Sequence, residues 1–159
     1  MNIRIIAVGK MREKYLSEAA EEYIKRIGRF AKTQVIQIAD RKTDENASEA
    51  QIEQALKKEG GDILAKLTPS QYVIALCVEG QKLNSVEFSK KISAAAMMGK
   101  SDIAFVIGGS FGLDENVKKR ADLRLSFSDM TFPHRLMRVI LLEQIYRAFK
   151  IAANETYHK

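Results

Sequence analysis

A chain of 159 residues with 46% apolar and 29% charged side chains can enclose one hydrophobic core and is too short for two comfortable ones. No stretch approaches the ~18 consecutive apolar residues of a membrane helix, MNIRIIAVGK has too short an apolar segment for a secretory signal, and the lone Cys77 supplies neither a disulfide framework nor a cysteine zinc site. The expectation is one soluble domain, residues 1–159, in the cytoplasm, and the net charge of +6 sits at its ends. Residues 1–32 hold eight Lys/Arg against four acids, 33–113 nine against ten, and 114–159 nine against six. If the ends meet in the fold they form a positive surface suited to nucleic acid; otherwise they are scattered solubilising lysines.

In chain order, 3–8 reads as a first strand. Residues 13–30 follow as a helix with apolar side chains at Tyr15, Ala19, Tyr23 and Ile27. A second strand at 34–39 leads into the polar loop DRKTDENA, 40–47. The helix over 48–67 opens on Ser48 three residues before Gln51, a capping-box spacing. A third strand, 72–78, contains VIALCV, and Asn84 with Glu87 caps a helix that ends at Gly99. A fourth strand, 103–107, runs into a turn with Gly108, Gly109 and Gly112, after which Asp114 caps a short helix. The fifth strand, 123–128, leaves the sheet through small polar and apolar residues, and Pro133 opens a long helix reaching about Asn154. Short β-branched runs alternating with helical segments predict an α/β domain, a mostly parallel five- to six-stranded sheet covered by helices on both faces.

The last helix is apolar around most of its circumference, with Glu143, Arg147, Lys150 and Asn154 as one narrow polar stripe. One sheet does not bury so wide an arc, so a homodimer is expected; the alternative is a helix wrapped by its own chain.

The glycine turn is G-G-x-x-G after the fourth strand, not the G-x-G-x-x-G of a dinucleotide site after the first. Gly99-Lys100-Ser101 is no phosphate loop either, because Ala94 stands where its first glycine belongs and the segment runs from helix to strand. A turn of this kind exposes backbone groups at the ligand-binding edge of a parallel sheet, or serves geometry alone. The sequence offers no convincing metal cluster.

Taken together, VIGGSFG, MTFPHRLMRV, EQIYRAFKI and the terminal Tyr157-His158-Lys159 resemble the SPOUT class of methyltransferases over the whole chain. Within that class they are similar to the small bacterial enzymes that methylate N3 of a pseudouridine in large-subunit ribosomal RNA. The resemblance implies a carboxyl-terminal trefoil knot, a homodimer and S-adenosylmethionine as cofactor. Its contacts would be Leu76, Gly108, Phe127, Ser128, Asp129, Met130, Thr131 and Phe132. It implies target-side roles for His158, Tyr157, Lys159 and Arg135, ribosomal RNA in the assembled ribosome as partner, and no metal or membrane. The competing readings are a ribosome-binding protein without activity, a nucleotide-binding domain using Gly99-Lys100-Ser101, and a methyltransferase for another RNA position. Outside that resemblance His134, at a helix start, reads as a surface or capping residue.

Overall fold

A computed structural model describes residues 1–157; His158 and Lys159 lie outside the described residues. Five strands, β1 (Asn2–Val8), β2 (Lys32–Ile38), β3 (Tyr72–Lys82), β4 (Asp102–Ile107) and β5 (Leu123–Ser126), form a single parallel sheet in the order β2-β1-β4-β3-β5. The helices between them are α1 (Lys14–Ile27), α2 (Glu49–Leu64), α3 (Ser85–Met97), α4 (Glu115–Arg120) and α5 (His134–Ala152).

Strand side chains alternate between two apolar layers. Ile3, Ile5, Ile74, Ile103 and Phe105 pack with Ile27 of α1, Phe88 and Ile92 of α3, and Leu141, Leu142 and Ile145 of α5. On the other face Ile6, Val8, Val73, Ala75, Ala104 and Val106 meet Ile63 of α2 and Val117 of α4. Burial on both faces is why the central strands carry continuous apolar runs.

The helix starts follow their capping chemistry. Ser48 and Gln51, and likewise Asn84 and Glu87, form reciprocal capping boxes, and the Asp114 carboxylate accepts from the Asn116 N–H. Pro133 differs from expectation: its ψ of 130° places it just before α5 rather than in the first turn. The stripe expected on α1 is also displaced. Leu16, Ala20 and Ile27 are buried, whereas Tyr15 is 70% exposed. Four-residue steps turn by ~400°, so a run of them drifts ~40° each time; only a mixture of threes and fours stays on one face.

α5 lies between α1 and α3. Phe149 stacks on Phe30 at 5.5 Å and the Ser89 hydroxyl donates to the Ala148 carbonyl at 2.7 Å. Much of its apolar arc is therefore covered by its own chain. What stays open is its first half, where Leu136 is 37% exposed and Ile140 lies beside Phe127 and Val86 in a shallow groove. The start of α5 is fastened to the end of β1 by Arg138, which is buried and donates to the carbonyls of Val8 at 2.6 Å and Gly9 at 2.7 Å. Since β5 is three strands away from β1, the connection from β5 to α5 passes across the carboxyl ends of β3 and β4.

Candidate active site

The crossing segment closes a cavity of about 310 Å³ at those strand ends. Its walls come from the end of β3 (Leu76 to Glu79), the turn after β4 (Ile107 to Leu113), the end of β5 with its loop (Leu125 to Ser128, Met130 to Phe132), and His134 and Met137 of α5. Leu76, Gly108, Phe127, Ser128, Met130, Thr131 and Phe132 are thus brought together, as expected of one ligand site. Asp129 is not among the lining residues; its carboxylate is paired with Lys82 at 2.5 Å.

The loop keeps its shape through its own hydroxyls: Ser126 donates to the Ser128 carbonyl at 3.2 Å, and Ser128 accepts from the Met130 N–H at 3.0 Å. The glycine turn packs on itself. A Cβ added to Gly108 would lie 2.2 Å from the Gly112 carbonyl oxygen, and Gly112 has a left-handed φ of 84°. The close approach that requires glycine at 108 is therefore backbone on backbone within the turn.

Several wall residues escaped the sequence reading. Beside the wall, Gly80 lies within the last part of β3, and a Cβ there would meet the Leu125 backbone at 2.7 Å; its absence lets this part of β3 lie close over β5 beyond an irregularity in their pairing. A glycine inside a polar stretch was the available signal. Lys118 of α4 and Glu79 form an ion pair on the cavity wall; the shared hydrogen bond raises the lysine pKa and lowers that of the carboxylate. Burial, followed by the Glu79 charge, pushes the Cys77 thiol up, so it is a packing residue of the wall. His134 is half-buried there, and burial, then the charges of Arg135 and Arg138, pull its pKa below 6.5. Both effects favour the neutral imidazole.

The residues expected on the target side are arranged differently. Arg135 is half-buried, bonded to Glu13 at 2.6 Å and absent from the cavity wall. Tyr157 folds back on α5: its hydroxyl donates to Glu143 at 3.2 Å, its ring meets Tyr146 at 4.9 Å, and the Arg147 guanidinium lies 4.8 Å from its centre. Burial and the Glu143 charge push its phenol up to about 12. Glu155, bound by Arg29 at 2.7 Å and by Lys150, holds the chain just before it. Tyr157 is thus seated on α5 and is absent from the cavity wall.

Among the described residues no group of His, Cys, Asp or Glu could hold a metal ion, and no helix is long and apolar enough to cross a membrane. The cavity suits a neutral flat base joined to a cationic centre: Leu76, Leu125, Phe127, Phe132 and Met137 offer apolar walls, two loops offer backbone polar groups, and the Lys118 charge is matched by Glu79.

The family described as "Predicted SPOUT methyltransferase" matches residues 1–158. Proteins named ribosomal RNA large subunit methyltransferase H are similar over all 159 residues and their own full lengths, at 54% identity in Leuconostoc mesenteroides, 54% in Carboxydothermus hydrogenoformans and 53% in Clostridium perfringens. Among solved structures, a probable methylase family protein from Haemophilus influenzae shares the fold with a TM-score of 0.58 at 16% identity, covering 99% of this chain and 70% of that one. A probable methyltransferase from Bordetella pertussis does so with a TM-score of 0.56 at 15% identity, over 92% and 95%. A parallel sheet with a cavity at its carboxyl edge, matched from end to end by complete relatives, leaves one lineage: the chain belongs to the SPOUT methyltransferase family.

Proposed function

We propose that this protein is a cytoplasmic, S-adenosylmethionine-dependent enzyme that methylates N3 of a pseudouridine in large-subunit ribosomal RNA, on the assembled ribosome and as a homodimer. The observation that carries the reading is the convergence of Leu76, Gly108, Phe127, Ser128 and Met130 to Phe132 on one cavity, closed by the segment that crosses β3 and β4. The names of the full-length relatives support ribosomal RNA as substrate.

Bound in the cavity, S-adenosylmethionine supplies an electrophilic methyl group on a cationic sulfur. Leu76, Phe127 and Phe132 would flank its base, and the backbones of the turn at Gly108 and of the loop from Ser128 to Thr131 would hydrogen-bond it; Asp129, engaged by Lys82, would contribute through its backbone. The crossing loop would form part of the trefoil knot that the resemblance implies, with the whole chain acting as one domain.

N3 of the target base carries a proton that must leave as the nitrogen attacks. His158 would accept it as a neutral imidazole, with Lys159 stabilising the anion that forms. Arg135 would reach a phosphate by exchanging Glu13 for it. Tyr157, fixed by Glu143, Tyr146 and Arg147, would hold the tail in position. Because Tyr157 is anchored on α5 outside its own cavity wall, the tail would serve the partner's cavity, with the open groove beside Ile140 as the contact between copies. Alignment of nitrogen, methyl carbon and leaving sulfur would supply much of the acceleration.

The test is to map methylated nucleosides in ribosomal RNA from cells with and without the gene, then restore them with purified protein and labelled cofactor. Loss and recovery of one N3-methylated pseudouridine is expected. A methyl group lost from another nucleoside would move the reading to a different RNA position. Ribosome binding without transfer would remove it.

A further inference from the structure

We propose that Lys10, Arg12 and Lys42, on the loops following β1 and β2, form the surface along which the RNA backbone lies when the target nucleoside enters the cavity. The inference rests on the ribosomal RNA reading above and assigns the surface that reading lacks.

The two loops are neighbours. The Gly9 N–H donates to the Ile38 carbonyl at 2.8 Å, and a Cβ on Gly9 would stand 4.0 Å from the Asp40 Cβ. Both lie at the carboxyl edge of the sheet, where open α/β proteins bind ligands. His134 joins this edge to the cavity: it lines the cavity, and its Nε2 is 3.8 Å from the same Cβ position. The imidazole thus stands between the loops and the cavity.

Three cations at this edge are left without a carboxylate among the described residues, whereas several others are engaged. Arg29, Arg41, Lys82, Arg135, Arg147 and Lys150 are held by carboxylates. Lys10, Arg12 and Lys42 are exposed and make no ion pair among the described residues. Buried Arg138 adds a positive charge beneath them without a carboxylate partner. Of the acids here, Glu13 is neutralised by Arg135 and Asp62 by Arg41. Asp40 faces Gly9, and Asp44 with Glu45 lie further along the second loop. A polyanion is the partner that gains from cations left free beside a ligand edge, because each lysine or arginine that neutralises a phosphate releases a counterion condensed on the nucleic acid.

The experiment measures binding of the full-length protein to purified large ribosomal subunits across a series of KCl concentrations. The variant is the triple Lys10→Gln, Arg12→Gln, Lys42→Gln. Its control removes the same charge from the opposite edge: Lys32→Gln, Lys66→Gln, Lys119→Gln, all exposed. Loss of about 0.7–0.9 per phosphate contact from the slope of log K against log salt is expected. The loop variant should lose about 2–3 from that slope, with KM for subunits raised and cofactor uptake unchanged; the control should keep the wild-type slope. Equal slopes for the two variants, whether both fall or neither does, overturn the assignment while the RNA reading stands. Wild-type protein that neither binds nor methylates any ribosomal particle would remove both.

Discussion

A methyl group at Gly108 would strike the Gly112 carbonyl oxygen, a backbone atom that cannot rotate away as a side chain could. Gly108→Ala is expected to lower stability by about 2 kcal/mol or more, a fall in Tm of roughly 4–8 °C for a chain of this size. Cofactor uptake should be lost in calorimetry. Gly109→Ala makes the comparison, because its nearest neighbour is the Val8 Cγ1 at 3.2 Å, the end of a side chain. Glu59 offers a test in pH. This buried carboxylate accepts the Arg41 N–H at 2.9 Å, and burial raises its pKa above 4.5. A raised folded pKa means that stability is fully present below the unfolded value and declines as pH rises through the folded one. Glu59→Gln keeps the acceptor and removes the charge, so it should raise stability by about 1 kcal/mol at pH 8 and leave it unchanged at pH 4, read from denaturant midpoints.

At the scale of elements, the fastening of α5 to β1 depends on Arg138. Arg138→Met would leave the Val8 and Gly9 carbonyls without their donor, and hydrogen bonds to charged groups contribute ~1.5–3 kcal/mol. A loss of about 3 kcal/mol in urea unfolding is expected, with weakened cofactor affinity because His134 and Met137 form part of the cavity wall. This is also where the sequence was least legible. The strands, the capping boxes and the loop over 40–47 announce themselves through residues a few positions apart, and all of them are present. Arg138 reads as one more cation on a basic helix start, because its partners are backbone carbonyls 129 and 130 residues away that no side-chain pattern encodes. Lys118 with Glu79 and the return of Tyr157 onto Glu143 are missed for the same reason. The phase of α1 differs for another reason: Tyr15, Ala19, Tyr23 and Ile27 are spaced in fours, and the drift of the helix carries Tyr15 to the solvent. Seven of the residues that the resemblance names line the cavity, while Ser110, Phe111 and Met137 join it only once the strand ends are set side by side.

For the whole molecule, the distribution of charge and apolar surface makes one prediction about assembly. The two basic ends do meet: Arg29 binds Glu155, Arg135 binds Glu13, and Arg138 reaches β1. Several of their cations are engaged in these contacts, while Lys10 and Arg12 stay unpaired among the described residues at the ligand edge. The groove beside Ile140, lined by Leu83, Val86 and Phe127, remains uncovered. Ile140→Arg should convert a dimer into single chains in sedimentation and reduce methyl transfer at least tenfold. A variant that stays dimeric would place the contact elsewhere. The position of α5 in the chain has a further outcome during synthesis. The helix that shields the Ile3, Ile5 and Phe105 side of the sheet is translated after every strand it covers. At ~5–20 residues per second the completed sheet waits roughly 1–5 s with the strip between α1 and α3 on that side uncovered. A premature stop before Arg138 therefore removes more than a tail: it strips the lid from the sheet's interior and leaves an aggregation-prone fragment.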